Sequence, residues 1–164
     1  MNPTSITQPS LIGCDIVFAS SQAADYESFS GMVGSRQCRL HHVESCRETI
    51  AFLGEHPAGV VICQAELPDG TWRDLLDGIS RLACAPNLIV ASWLANDHLW
   101  TEVLDLGGYN VLRAPFDAEE AVRITAQAWA DWNQRHSVAV RQEPGTAESS
   151  SGFNGKARSA LAGA

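Results

Sequence analysis

Basic residues are scarce in this sequence: 11 Lys and Arg stand against 19 Asp and Glu, for a formal charge of −8 and a pI near 5.0. A nucleic-acid surface needs grouped Lys and Arg to neutralise phosphates, so the charge balance argues against that class of partner. No apolar run approaches the ~18 residues that cross a bilayer. No basic segment followed by an apolar stretch opens the chain, so a signal peptide is not expected either. The five cysteines, Cys14, Cys38, Cys46, Cys63 and Cys84, include no C-x-x-C pair. Their odd number and irregular spacing suggest neither a disulfide framework nor a zinc site. Reduced core thiols in a cytoplasmic protein without metal or cofactor are the expectation. Ala19-Ser20-Ser21-Gln22 stands where a Gly-rich phosphate loop would follow a first strand.

What is present is a regular alternation of short apolar runs and amphipathic segments. With 164 residues, 45% of them hydrophobic, one domain with a real core is expected. Asp15 to Ala19 reads as a first strand, with a helical stretch around Ala23 to Val33 after it. Cys38 to Val43 reads as a second strand. Ser45-Cys46-Arg47-Glu48 has the spacing of a capping box, in which Ser and Glu each satisfy an orphan backbone amide at a helix start. That helix ends near Glu55-His56-Pro57. The third strand spans Gly59 to Cys63, and Thr71 caps a helix bearing Trp72, Leu75, Leu76, Ile79 and Leu82 at helical spacing. Asn87 to Ser92 is a fourth strand, Asn96 or Asp97 opens a fourth helix, and Gly107-Gly108 stops it. Tyr109 to Arg113 is the fifth strand, and a last helix runs from Asp117 to about Arg135.

Five strands each followed by a helix imply βαβ units. Right-handed crossovers then favour an α/β flavodoxin-like doubly wound five-stranded parallel sheet in three α/β/α layers. Residues 1–12 read as a flexible lead-in and residues 13–136 as the domain. Residues 137–164, rich in Ser, Gly, Ala and Glu, read as a disordered tail that leaves no room for a separate output domain.

Two segments carry a resemblance. Val60 to Gln64 runs into Leu67-Pro68-Asp69-Gly70. Further on stands Leu106-Gly107-Gly108-Tyr109-Asn110-Val111-Leu112-Arg113-Ala114-Pro115-Phe116-Asp117. Their order and separation resemble the CheY-like receiver domains of bacterial response regulators, over about residues 14–135. In that family an aspartate four residues before the proline accepts a phosphoryl group. Two acidic residues after the first strand hold Mg²⁺, and a hydroxyl and a lysine engage the phosphoryl oxygens. Positioning and charge neutralisation do nearly all the work in phosphoryl transfer.

Carried onto this chain, the acidic pair falls on Ser20 and Ser21, the acceptor on Gln64, the hydroxyl on Ser92 and the lysine on Ala114. The aromatic that reports the family's switch falls on Val111. An amide cannot form an acyl phosphate, and neutral oxygens are poor Mg²⁺ ligands. The resemblance therefore implies a degenerate pseudo-receiver that is not an enzyme. Its near-neutral pocket would be satisfied by a static network of Ser20, Ser21, Gln64 and Ser92. Glu66 and Asp69 are the substitute acceptors if phosphorylation persists at an atypical site. A small-molecule sensor using the neutral pocket is the other alternative.

His41 and His42 would face opposite sides of a strand, and His98 starts the fourth helix near the pocket rim. Trp93 follows Ser92 at the pocket mouth. Trp100, Tyr109, Trp129 and Trp132 form the candidate interaction surface, because exposed aromatics make good interface anchors. In the family, the last two helices and fifth strand commonly dimerise or dock partners. A protein partner or a homodimer through that face is the expectation, with no nucleic acid and no membrane.

Overall fold

The computed structural model describes residues 10–34 and 36–141. The strands are β1 (Asp15–Ala19), β2 (Arg39–Val43), β3 (Val60–Gln64), β4 (Glu66–Leu67), β5 (Gly70–Thr71), β6 (Asn87–Ser92) and β7 (Asn110–Arg113). The helices are α1 (Ala23–Val33), α2 (Cys46–Glu55), α3 (Trp72–Ile79), α4 (Asp97–Asp105) and α5 (Ala118–Arg141). Five strands make one parallel sheet in the order β2-β1-β3-β6-β7, while β4 and β5 form a separate two-residue hairpin. This is the flavodoxin-like α/β fold expected from the alternation of elements.

Side-chain alternation along the strands divides the core in two. Ile16 and Phe18 of β1, with Val60 and Ile62 of β3, pack under α1 and α5 against Phe29, Val33, Ala121 and Ile124. Val17 and Ala19, with Val61 and Cys63, pack on the other face against Leu53, Trp72, Leu75, Ile79 and Val103 of α2, α3 and α4. Strands buried on both faces explain why the sequence shows continuous apolar runs such as Val60-Val61-Ile62-Cys63 rather than strict alternation.

Chain-compactness separates residues up to Trp132 from a second unit beginning at Asn133, of which residues 133–141 continue α5 as helix. Of the tail expected from residue 137, residues 137–141 belong to α5 as helix. The flexible segment 1–12 is corrected at its end too, because Leu11 is buried in the core and its carbonyl accepts from Cys14 N–H at 3.0 Å. The rest of 1–12, residues 1–9, and the remaining tail, with Phe153, lie outside the described residues.

Local details follow the capping signals with two differences. Ser45 Oγ accepts from Glu48 N–H at 3.1 Å, but Glu48 Oε1 accepts from Glu44 N–H at 2.6 Å rather than from Ser45, so the box is only half formed. Thr71 has the reciprocal box instead, with Asp74 as its partner, and α3 ends at Ile79, short of Leu82.

A polar cleft at the carboxyl ends of the strands

Strands β1, β3 and β6 end together, and the loops leaving them diverge around a cleft of ≈ 520 Å³. Open α/β sheets place their functional crevice at such strand ends because consecutive crossovers separate there. Gln64, the last residue of β3, stands at its floor, and Ser92, Trp93, Glu66, Pro68 and Ala114 contribute walls.

Gln64 is held from both ends of its amide. Its Nε2 donates to Asp25 Oδ2 at 2.6 Å, and its Oε1 accepts from Ser21 N–H at 3.2 Å. Asp25 sits in the first turn of α1, where a carboxylate also meets the positive end of the helix dipole. The expected four-residue network does not form. Ser20 is fully buried, and its Oγ turns back on its own loop, 3.0 Å from Gln22 O and accepting from Gln22 N–H at 2.9 Å. Ser92 Oγ accepts from Leu94 N–H at 3.0 Å. Each hydroxyl closes a local turn because a two-residue reach satisfies it without crossing the cleft. Asp25 was missed by position-by-position reading, and with Glu66 it makes the cleft acidic rather than near neutral. Its signal was an acid in the first turn of the helix that leaves β1.

Ala114 lines the cleft with its backbone tied to β6, its N–H donating to Ser92 O at 3.0 Å. Asp69 faces elsewhere. Its carboxylate accepts from Cys46 N–H at 2.8 Å and Arg47 N–H at 3.0 Å, clasping the start of α2. Those two amides hold its carboxyl below the ordinary carboxylate range. Glu66 stays in the cleft wall. Among the described residues no cluster of three or more His, Cys, Asp and Glu stands close enough to hold a metal.

The histidines are outside the cleft. His42 stacks on Tyr26 at 4.4 Å with Nε2 2.9 Å from Ser20 O, while His41 meets Phe52 on the opposite face. His98 lines a separate groove between α3 and α4 with Arg73 and Glu102.

The aromatic residues separate into three groups. Trp93 and Leu94 stand 66% and 80% exposed at the cleft mouth. Trp100 is half exposed on α4 and its Nε1 donates to Asn110 Oδ1 at 3.1 Å; next to it in β7's approach, Tyr109 OH donates to Asp131 at 2.6 Å. These two tie α4, β7 and α5 into one face. Trp129 and Trp132 stack on each other at 5.4 Å, half-buried, over Gly59 and the loop before β6, where Trp132 Nε1 donates to Ala85 O. That pair closes the amino end of the sheet, and much of its ring area is already spent on the protein's own packing.

The same arrangement of strands and helices recurs in solved structures of response-regulator receiver domains. A signal receiver domain from Vibrio parahaemolyticus matches with a TM-score of 0.72 at 19% identity, covering 77% of this chain and 98% of that one. The signal receiver domain of an HD domain-containing protein from Pseudomonas fluorescens Pf-5 matches at 0.69 and 19%, over 84% and 98%. The beryllofluoride-activated NtrC4 receiver domain, a dimer, matches at 0.67 and 17%, over 72% and 98%. No protein-family model and no curated protein matches the sequence. The chain therefore has the CheY-like receiver fold, at identities that speak for fold alone. No helix among the described residues is long and apolar enough to cross a membrane.

Proposed function

We propose that this chain is a pseudo-receiver: a receiver-fold module of signal transduction that works by protein contact and takes no phosphoryl group. The observation that carries this reading is the occupancy of the strand-end position by Gln64, whose amide nitrogen is already committed to Asp25. A carboxamide oxygen has no charge to attack phosphorus, and Ser20, Ser21 and Ala114 supply neither a metal ligand pair nor a cation. With the chemistry gone, function resides in a surface. The face built from α4, β7 and α5 around Trp100 and Tyr109 is the best placed one, for a protein partner or a second copy. Trp129 and Trp132, stacked over Gly59 and the loop before β6, serve the protein's own packing rather than anchor a partner.

Intact mass after incubation with acetyl phosphate and Mg²⁺ tests the proposal. An unchanged mass is the expected outcome. A stoichiometric phosphoryl adduct would overturn it, and would favour the second reading, an atypical acceptor. Glu66 is then the residue to mutate first, since it lines the cleft and Asp69 is engaged at α2. A metabolite that raises the melting temperature through the ≈ 520 Å³ cleft would instead favour a small-molecule sensor.

A further inference from the structure

The sequence reads its five cysteines as reduced core thiols, yet two of them stand side by side. Asp15 of β1 is the register partner of Arg39 of β2, and Arg39 N–H donates to Cys14 O at 2.8 Å. Cys14 and Cys38 each precede that pair by one residue, at the amino ends of neighbouring parallel strands. Both side chains are directed to the same sheet face, where Cys14 is fully buried in the core under α1 and Cys38 packs against it from the edge. Neighbouring strands lie roughly 4.7–4.9 Å apart. That falls inside the roughly 4.4–6.8 Å range of Cα separations across a disulfide.

The two thiols differ in access. Cys14 is closed off from solvent, whereas Cys38 is half-buried, with Sγ 3.5 Å from the Val33 carbonyl. Burial pushes both thiols up from their ordinary range, and at Cys38 the nearby Arg36 charge works against that push. Access rather than acidity therefore makes Cys38 the thiol an oxidant meets first, and Cys14 is the one placed to resolve it.

We infer that Cys14 and Cys38 form a redox-responsive pair, which a peroxide converts to a disulfide joining β1 to β2. The Cys38 thiolate attacks a peroxide oxygen, the O–O bond breaks, and with hydrogen peroxide one water leaves as the sulfenic acid forms. The Cys14 sulfur then attacks the sulfenic sulfur, the S–O bond breaks and a second water leaves. Two thiols are oxidised by two electrons and one peroxide is reduced to two waters. The ring so closed, residues 14 to 38, contains Ser20, Ser21 and all of α1 with Asp25. Oxidation would therefore tether the segment that holds Gln64 in the cleft, whatever the cleft is used for.

The test treats the full chain with hydrogen peroxide, both in wild type and in a Cys46→Ser/Cys84→Ser background that removes the other thiols outside the deep core. Intact mass is followed by a tryptic map without reductant. Cleavage after Arg36 and Arg39 separates Cys14, in peptide 1–36, from Cys38, in Gln37-Cys38-Arg39. The expected result is the loss of two hydrogens, the tripeptide joined to peptide 1–36, reversal by dithiothreitol and a higher melting temperature when oxidised. In Cys14→Ala, Cys38 should instead accumulate added oxygen. Overoxidation of Cys38 without linkage in the wild type, or its linkage to any other cysteine, would overturn the inference. If the background variant fails to fold, the wild-type map alone decides between these outcomes.

Discussion

The side-chain amide of Gln64 donates to the carboxylate of Asp25 across 2.6 Å, joining the end of β3 to the first turn of α1. This single bond links the two elements between which the strand-end cleft opens. It is charge-assisted and partly shielded from water, so it fixes both the amide's orientation and the position of the helix start.

Removing the acceptor should expose that role. Asp25→Ala leaves Gln64 Nε2 without its partner while Ser21 N–H still binds Oε1. The expected cost is about 1.5 kcal/mol, the lower end for a hydrogen bond to a charged group, because Asp25 is partly exposed. The urea midpoint should fall with an unchanged m-value.

Gln64→Asp has the opposite electrostatics. It sets a second carboxylate facing Asp25, one methylene short of the present amide, and like charges that near repel. The variant should melt below wild type at neutral pH, and millimolar Mg²⁺ should recover part of the loss by bridging the two carboxylates. Wild type should be unmoved by the same Mg²⁺. Equal Mg²⁺ responses in the two proteins would refute this account of the cleft floor.

Two carboxylates give the protein an acid limb. Arg39 donates to Asp15 through Nε and Nη2, and this hydrogen-bonded pairing holds the Asp15 carboxyl below its ordinary range. Asp69 is held low by the amides of Arg47 and Cys46. A carboxyl whose folded value is depressed contributes stability above its unfolded value of about 3.9, and loses it as pH falls through the folded value. Stability should therefore be level near neutrality and decline below about pH 4. Asp69→Asn should reduce the difference between pH 7 and pH 3, as read by chemical denaturation at the two pH values.

Gly59 is where the tryptophan pair meets the sheet. A Cβ there would lie 2.5 Å from Trp129 Cε3 and 3.0 Å from Trp132 Cε3. Gly59→Ala should destabilise by about 1–3 kcal/mol, the usual penalty of overpacking. Near-UV circular dichroism should change with it, because the stacked rings must separate. An unaltered spectrum would place the rings elsewhere in solution.

Thr125, in the middle of α5, is fully buried and its Oγ1 has no hydrogen-bond partner. Thr125→Val exchanges that hydroxyl for a methyl of nearly the same shape. The expected gain is about 1 kcal/mol, from relief of an unsatisfied buried hydroxyl. It should appear as a raised thermal midpoint without change in the far-UV spectrum.

The fold was legible because its signals are local and repeated. Asn87 to Ser92 is β6 to the residue, and Asp15 to Ala19 and Ala23 to Val33 are β1 and α1 as read. Thr71 and Asn96 cap the helices their chemistry announces, each with its side chain accepting a backbone amide of the first turn. Asp117 does the same for α5, accepting from Glu120 N–H. The opposed faces of His41 and His42 follow from strand periodicity alone. Boundaries slipped by a residue or more at element ends: β3 begins at Val60 rather than Gly59, and the helix after Asp117 passes Arg135 to reach Arg141.

The sequence by itself determined the order of strands and helices, the apolar runs that bury the sheet on both faces, and the residue types Ser20, Ser21, Gln64, Ser92 and Ala114 at the strand ends. Only the tertiary structure decided how those groups are spent. It brought Asp25 to Gln64 across 39 residues of sequence, turned Ser20 and Ser92 back on their own loops, and sent Asp69 to α2. It also set Cys14 beside Cys38. The physical reason is range. Periodicity and capping act within a few residues, whereas a polar side chain in a cleft takes whichever partner the packing of separate elements places within about 3 Å.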